Sequence, residues 1–542
     1  MRLPCLEENE VQVLEGAPTS LGRLARWAAN LRLEQIPAPV RRHAVNQVLS
    51  TVAAVYSGWE SDLGPSLERG FGPSGQGAAR ILPTGTQAAP EQAALLMAAW
   101  SMVLDFDDVM LGGHTGHSAV LVPLALAGNG RYSGADVVLA QIVANELAAR
   151  INMVCAVGST RGQMATHVHL LAAAAARAKL ERLDEAAFAE ALGFALSYPA
   201  QALFPAFLGS DAKALCAAWP IRMGMESVDA VRAGLIAGRD LLDDRRGFFA
   251  TAARIPVRDF LAGLGEQWHT ATNSYKIYPV CGYLCAALDA TLGLVEHESP
   301  PPDEIREVDV WASIFTVGMD AHSAPYLDGP RSRISTLTFS TPFVIASAIL
   351  AGEFGPAQLR RRWIGNPRVW ELAARVRSRH DVDLTLRALT SDIPIGAALR
   401  RTRRTQAAGF GWSLAAKAFG RAGRWRRPVE TLRLLAGLAG AAGERGPIDL
   451  ARATKPLAAR VEIRLNDGRR LGRSVSIPRG FAGAGESPAE VRRLMREKLE
   501  SVATSVIGHA AATELASRLE RLEELSPAQV EQCLRLACRD HA

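Results

Sequence analysis

The sequence is poor in aromatic residues and in cysteine for a chain of 542 residues. Aromatic side chains make up only 6% of it and alanine is abundant, which favours closely packed helices over a sandwich or barrel of short strands. The seven cysteines are an odd number without the paired spacing of zinc ligands. This argues against a disulfide framework or a zinc site and favours a reducing compartment.

Other signatures are missing as well. The chain has no glycine-rich phosphate loop and no iron–sulfur set of cysteines, so we predict chemistry without a cofactor or a metal. Residues 1–10 are polar and acidic, unlike a signal peptide, and no apolar run reaches the length that spans a membrane. We therefore expect a soluble protein of the cytoplasm.

The length of the chain exceeds what one hydrophobic core usually supports, so we expect two domains or more. Apolar residues recur with helical spacing through the first half, as in residues 40–56, and again from residue 488 to the C-terminus. This pattern predicts a mainly α protein. Both chain ends, residues 1–267 and 481–542, are expected to form one large all-helical domain.

The middle of the chain has a different pattern. Within residues 307–314, β-branched residues alternate with other residues, as is typical of a strand. Residues 459–465 form a second candidate strand, which ends at an Asn-Asp-Gly turn signal, and residues 475–477 could pair back onto it. A smaller α/β region, residues 268–480, is therefore predicted to interrupt the helices.

Basic and aromatic residues are mixed in an insertion within this region, at about residues 400–452. Arg421, Arg424, Trp425 and Arg426 are examples. Such a mixture can contact an anionic membrane surface or nucleic acid. The alternative is a surface helical hairpin that extends its arginines into solvent or packs on a partner subunit, and we favour it. We expect no specific nucleic-acid binding and leave peripheral membrane or protein contact open.

The best indication of chemistry is the segment of residues 105–117. Asp105, Asp107 and Asp108 follow an almost wholly apolar run, where unpaired charge is costly. His114 and His117 come next, in a glycine-rich stretch. Because imidazoles exchange protons near neutral pH, the segment predicts acid–base catalysis.

Six motifs follow one another along most of the chain. They are Leu104 to Asp108 with the histidines after them; Gly134, Ala135 and Asp136 continuing to Glu146 and Arg150; an alanine run ending in Lys179 and Leu180; Asp211, Ala212 and Lys213; Lys276, Tyr278, Pro279 and Cys281 with Asp289 and Ala290; and Phe339, Ser340 and Pro342. In this order and spacing the chain resembles the MmgE/PrpD family, which includes 2-methylcitrate dehydratase, cis-aconitate decarboxylase and iminodisuccinate epimerase.

The resemblance implies that the α/β region is a lid on the helical domain, that the pocket lies at their junction, and that the protein is a homodimer. Members of the family break a bond next to carboxylates without a metal. We therefore expect a small polycarboxylate substrate and its dehydration by proton abstraction next to a carboxylate. Epimerisation and decarboxylation share the carbanion-like intermediate and remain alternatives. So does a non-catalytic member that uses the basic insertion for binding.

The resemblance also assigns candidate catalytic residues. Asp105 matches the family's active-site aspartate, which would orient or charge-stabilise a histidine or lysine across the pocket. His114 and His117 are both candidates for the loop histidine that moves the proton. Lys213 and Lys276 match two lysines that would attract substrate carboxylates and stabilise the developing enediolate-like charge.

Three further residues are assigned to substrate binding. Gln163 stands where many members carry a histidine, and it can hydrogen-bond a carboxylate but cannot shuttle a proton. His167, together with the nearby His169, is a candidate to occupy the position of the histidine that Gln163 replaces. Cys281 stands where the decarboxylase has histidine, which argues against that particular activity, although a buried filler is the alternative role for this thiol.

Overall fold

The computed structural model describes residues 19–73, 75–158, 162–163, 166–199, 201–419, 427–443 and 449–539, without the side chains of residues 162–163 and 417–419. The protein is 63% helical with few strands, which confirms the prediction of a mainly α fold. The α-helices are α1 (Ser20–Asn30), α2 (Ala38–Trp59), α3 (Gly64–Phe71), α4 (Pro90–Val103), α5 (Gly116–Ala119), α6 (Leu121–Ala127), α7 (Gly134–Val154), α8 (Thr166–Leu180), α9 (Glu185–Ser197), α10 (Phe204–Gly209), α11 (Leu215–Arg232), α12 (Phe248–Ala252), α13 (Cys285–Glu298), α14 (Ile314–Ser323), α15 (Ile334–Leu337), α16 (Thr341–Ala351), α17 (Arg361–Ile364), α18 (Pro367–Ala373), α19 (Val382–Leu389), α20 (Pro394–Arg400), α21 (Arg404–Phe419), α22 (Pro428–Ala441), α23 (Pro488–Ile507), α24 (His509–Glu520) and α25 (Pro527–Leu536).

The helices of both chain ends share one hydrophobic core. In the N-terminal half, α7 packs against α8, and α11 packs against α4 and α8. The C-terminal helices α23 and α24 pack on α2, and the Tyr56 hydroxyl donates to the carbonyl of Ala537. Close helix packing follows from the alanines, whose small side chains let backbones approach each other.

The expectation that no apolar run is long enough to span a membrane is wrong, because helix α7 meets that criterion by length and composition. In the protein, 89% of its most apolar window is buried, as in the core helix of a globular protein. Two of its charged residues form a buried ion pair. Glu146 lies 3.6 Å from Arg150 and accepts hydrogen bonds from the backbone N–H groups of His269 and Thr270. This contact anchors the segment that leads to Lys276.

A four-stranded sheet lies in the middle of the chain. Its order is β10-β9-β11-β12, with β10 parallel to β9 and the other neighbours antiparallel. Val308 and Val310 of β9 pair with Ile463 and Val461 of β11, and these residues belong to a second hydrophobic cluster, separate from the larger core. The strands are β1 (Ala79–Arg80), β2 (Gln87–Ala88), β3 (Asp108–Val109), β4 (Val157–Gly158), β5 (Gly162–Gln163), β6 (Ala202–Leu203), β7 (Ala253–Ile255), β8 (Ser274–Tyr275), β9 (Ile305–Ala312), β10 (Val376–His380), β11 (Ala459–Leu465) and β12 (Arg470–Val475).

The sequence predicted three of these four strands and missed β10. The predicted hairpin joins β11 to β12 through Asn466, Asp467 and Gly468, and Gly468 adopts the positive φ of 91° that favours glycine there. The returning strand begins at Arg470, five residues earlier than the predicted residues 475–477.

The described part of the basic insertion contains the two helices α21 and α22, which pack against each other. Leu414 and Leu438 are buried in the larger core, while Arg400 pairs with Asp392 at 2.5 Å. The insertion therefore has a buried apolar side. Arg421, Arg424, Trp425 and Arg426 lie outside the described residues, so contact with a membrane or a protein stays a prediction.

Candidate active site

Three carboxylates enter the interior directly after the apolar helix α4. Asp105, Asp107 and Asp108 are 7%, 2% and 0% exposed. Asp105 has a φ of 55°, in the left-handed region that few residues other than glycine adopt and that aspartate tolerates better than most. The sharp turn at this residue ends the helix. The strand pairing of Asp108 with Tyr275 brings the Lys276 segment alongside.

Two lysines from distant parts of the chain neutralise the first two carboxylates. Lys213 Nζ lies 3.0 Å from Asp105 Oδ1. Lys276 Nζ lies 3.0 Å from Asp105 Oδ2 and 2.6 Å from Asp107 Oδ1, and it also donates to the Asp105 carbonyl. Lys276 thus has three acceptors, the full complement of an ammonium group. Lys213 has Asp105 and, at 3.4 Å, the carbonyl of Met102.

The lysines determine the charge state of the aspartates. Burial alone would raise the pKa of Asp105, but Lys213 and Lys276 outweigh it and lower this pKa to about 2. Burial is likewise outweighed at Asp107, where Lys276 and the two histidines hold the pKa well below its usual range. The carboxylates in turn raise the pKa of Lys276 in spite of its burial. At neutral pH both aspartates are therefore ionised and Lys276 is protonated.

The structure gives the two loop histidines different positions. His114 Nδ1 lies 2.5 Å from Asp107 Oδ2, and its side chain is 29% exposed. His117 is fully buried, with Nε2 at 3.2 Å from the same oxygen and Nδ1 at 2.7 Å from Ser101 Oγ. His114 is thus the histidine that a ligand can reach. His117 lies close to Asp107, but its Nε2 forms no hydrogen bond within the described part of the chain. Asp107, rather than Asp105, orients the histidine.

Asp108 belongs to a hydrogen-bond network inside the helical core. It accepts hydrogen bonds from Gln47 Nε2 at 2.7 Å and from Thr51 Oγ1 at 3.3 Å. Burial and the neighbouring Asp107 raise its pKa. Gln47 also connects this network to Asn145 on α7. Asp108 is therefore a structural residue that fixes the loop to α2.

Two further lysines bind the backbone of residues 105–109, here called the aspartate loop. The sequence did not predict either of them. Lys498 on α23 donates to Phe106 O at 2.6 Å, to Lys276 O at 2.9 Å and to Ser50 Oγ at 2.9 Å. Lys455 donates to the carbonyl of Val109. Burial lowers the pKa of both lysines to about 7. A compositional signal existed, because only six of the 61 basic residues are lysines.

The buried Lys498 predicts a pH-dependent stability. Its pKa is about 7 in the folded protein and about 10.4 in an unfolded chain, so between these values the unfolded chain binds more protons. The free energy of unfolding should therefore rise with pH in this window. Lys498→Met should reduce the slope by up to about 1.4 kcal/mol per pH unit, measured by urea unfolding from pH 7 to 10. An unchanged slope would show that Lys498 keeps its ordinary pKa.

The residues assigned to substrate binding are dispersed. His167 is buried and packs edge-on against Phe248, whereas His169 lies beside His117, with ring centroids 5.6 Å apart. The structure therefore places His169, and not His167, at the site. The backbone of Gln163 lies in β5, and its side chain is outside the description. Cys281 is buried, which raises the pKa of its thiol to about 12 and makes it unreactive.

A small pocket opens beside the charged cluster. Its free space of about 20 Å³ has room for little more than one water molecule. Among the described side chains, no group of three or more His, Cys, Asp and Glu could hold a metal ion. The lining consists of Met102, Asp105, Asp107, His114, Thr166, His169, Phe207 and Cys216.

Comparison with known proteins places this site in a family. The MmgE/PrpD N-terminal domain matches residues 22–257, and the MmgE/PrpD C-terminal domain matches residues 278–407. The aspartate loop, both loop histidines and Lys213 lie within the first match. Lys276 precedes the second, and Lys455 and Lys498 follow it.

Two curated relatives are both named cis-aconitate decarboxylase, one from Aspergillus terreus and one from Aspergillus terreus strain NIH 2624 / FGSC A1156. Each is 27% identical over 290 residues, which cover 49% of this chain and 58% of the relative. The chain thus spans little more than half the length of these relatives. Since both family domains match in order and together cover most of the chain, the protein is a member of the MmgE/PrpD family.

Proposed function

We propose that this protein is a cofactor-independent lyase that dehydrates a hydroxylated di- or tricarboxylate. The observation that carries the proposal is His114, which lines the pocket while its Nδ1 is held by the buried, ionised Asp107. With Nδ1–H donated to Asp107, Nε2 is the basic nitrogen left for a ligand. The name of the curated relatives, a decarboxylase of a polycarboxylate, supports a lyase on this class of substrate.

The reaction would begin at the carbon next to a substrate carboxylate. His114 Nε2 takes the proton from this carbon, and Asp107 stabilises the imidazolium that forms. The electron pair of the broken C–H bond forms the new double bond as the neighbouring C–O bond breaks. The imidazolium of His114 then gives this proton to the departing hydroxyl group, which leaves as water, and the neutral imidazole is restored. Lys213 stabilises the negative charge that develops on the carboxylate.

The arrangement gives the two lysines different roles. Lys276 donates all three of its N–H groups to Asp105 and Asp107, so its role is to position these aspartates. Lys213 retains capacity for a substrate carboxylate. Asp105 holds both ammonium groups in place and matches the family's active-site aspartate, as the sequence predicts.

We further propose the domain division that the sequence predicts, residues 1–267 with 481–542 as a helical domain and residues 268–480 as an α/β lid. The separate hydrophobic cluster around the four-stranded sheet supports a lid built on that sheet, while Leu284, Phe343 and Leu414 of the same range belong to the larger core. Closure of the lid would assemble the site and exclude water. A homodimer and a cytoplasmic location are part of the same proposal. Light scattering of the purified protein tests the dimer.

Incubation of the purified protein with candidate acids in deuterated water tests the reaction. We expect hydroxylated tricarboxylates of the 2-methylcitrate type to yield an alkene and water, detected by NMR. Label exchange without net loss would support epimerisation instead, and released carbon dioxide from cis-aconitate would support decarboxylation. If no candidate acid reacts in any of these ways, the proposed function is wrong.

A further inference from the structure

A second pocket lies beside Lys213, separate from the pocket that contains His114. Asp105 lines the first pocket, Lys213 lines the second, and their side chains form the 3.0 Å ion pair. The two pockets therefore share this ion pair as a boundary. The polar and charged side chains of the second pocket are Asp62, Asp211, Lys213, Arg333, Ser335 and Arg361.

The buried part of this pocket offers a cation and an unused hydroxyl. The Lys213 side chain is 1% exposed. Ser335 is 5% exposed, and its Oγ has no hydrogen-bond partner among the described residues. An unpaired buried polar group costs about 1–3 kcal/mol. A ligand that accepts a hydrogen bond from Ser335 would remove this penalty.

Two arginines form the exposed part of the pocket, and they differ in whether the guanidinium already has a carboxylate partner. Arg333 forms an ion pair with Asp211. The backbone N–H of Arg361 donates to Asp62 at 2.8 Å, and its guanidinium donates to the carbonyl of Ser332 at 3.2 Å. Within the described part of the chain, no carboxylate lies within ion-pair distance of the Arg361 guanidinium. Its remaining N–H groups are available to an anion.

We propose that this second pocket captures a carboxylate group of the substrate through Arg361, Ser335 and Lys213. The proposal rests on the proposed polycarboxylate lyase function and assigns three recognition residues to it. Lys213 is suited to the role because it contacts both the pocket and Asp105, whereas Lys276 has no donor left. A planar guanidinium at the entrance and an ammonium group on the floor match a carboxylate-bearing ligand.

Arg361→Gln and Ser335→Ala test the proposal. We expect KM for the substrate to rise about tenfold in Arg361→Gln and about three- to fivefold in Ser335→Ala, because a charged and a neutral hydrogen bond are lost. The value of kcat should stay within about twofold of wild type, since Arg361 and Ser335 would bind the carboxylate equally in the bound substrate and in the transition state. Arg362→Gln is the matched control, an exposed arginine next in sequence that does not line the pocket.

Calorimetry with tricarballylate, an unreactive tricarboxylate, gives a second measurement that needs no turnover. Affinity should fall in both variants by the same factors as KM rises. Ser335→Ala removes no protein hydrogen bond and relieves the cost of the unpaired buried hydroxyl, so its thermal stability should equal or exceed that of wild type. A loss of affinity without a loss of stability separates recognition from a structural role. Unchanged tricarballylate affinity in both variants would overturn the proposal. A wild-type protein that binds tricarballylate through these residues but turns over no acid would contradict only the proposed function.

Discussion

His114→Gln is expected to lower kcat about 10²- to 10⁴-fold, the contribution of a positioned general base. Glutamine can still hydrogen-bond to Asp107 but cannot accept the substrate proton. The free energy of unfolding should change little, because the His114 side chain is 29% exposed and Asp107 keeps its contact with Lys276. Steady-state kinetics on the acid found by the incubation assay measures the effect.

Two other histidines provide the comparison. His117→Gln should lower the free energy of unfolding, because this side chain is fully buried between Ser101 and Asp107. His297→Gln, on the exposed surface of α13, should leave both activity and stability unchanged. A kcat for His114→Gln close to that of wild type would contradict the assignment of His114 as the base.

Lys276→Met is expected to be the most destabilising of the substitutions considered. It leaves Asp107 without its lysine and Asp105 with Lys213 alone, deep in the interior. Removing one partner of a buried ion pair typically costs about 3–5 kcal/mol, mostly the penalty of the uncompensated charge. Urea unfolding measures this loss, and activity should disappear as well because the aspartates no longer hold His114 in position.

A double substitution separates the charge from the packing of Lys276. Adding Asp107→Asn to Lys276→Met removes the uncompensated charge, so part of the stability should return while activity stays lost. Lys179→Met is the matched control, because Lys179 donates to the carbonyls of Ala28, Ala29 and Leu31 and leaves no buried carboxylate behind. If Lys276→Met costs no more than Lys179→Met, the buried charge is not what Lys276 stabilises.

Acid pH provides an independent measurement of the same contacts. The pKa of Asp105 is about 2 in the folded protein, below the value of about 3.9 in an unfolded chain. The stability that it contributes is therefore complete above about pH 4 and is lost as pH falls towards 2. Lys276→Met should flatten this part of the stability profile. An equally steep decline in the variant would show that other carboxylates cause it.

Local signals in the sequence predicted most of the fold. The helical spacing of residues 40–56 corresponds to α2, and the turn after β11 forms the predicted hairpin. Strand β10 escaped prediction because its residues Val376–His380 are mostly polar and only partly buried. Its pairing with β9 is parallel and distant in the sequence, so no local pattern reports it.

Most charged members of the candidate site were predicted, apart from Lys455 and Lys498, but their partners were not. Asp105, Asp107, His114, His117, Lys213 and Lys276 do converge, and they come from segments up to 171 residues apart. Which aspartate holds the histidine depends on the turn at Asp105, which no composition rule specifies. His167 and His169 lie two residues apart on α8, about 200° around the helix axis. Because α8 is buried on nearly all sides, its apolar pattern does not distinguish the two histidines.

The left-handed backbone of Asp105 limits which amino acids can replace it during evolution. Asparagine would tolerate the same φ but would remove the negative charge between Lys213 and Lys276. Glutamate would keep the charge but with a longer side chain and a conformation that it adopts less readily. Aspartate alone combines a short carboxylate with this backbone geometry. Any descendant of the chain that abandons aspartate here must therefore also change the turn or the lysines, so the three residues are expected to be lost or kept together.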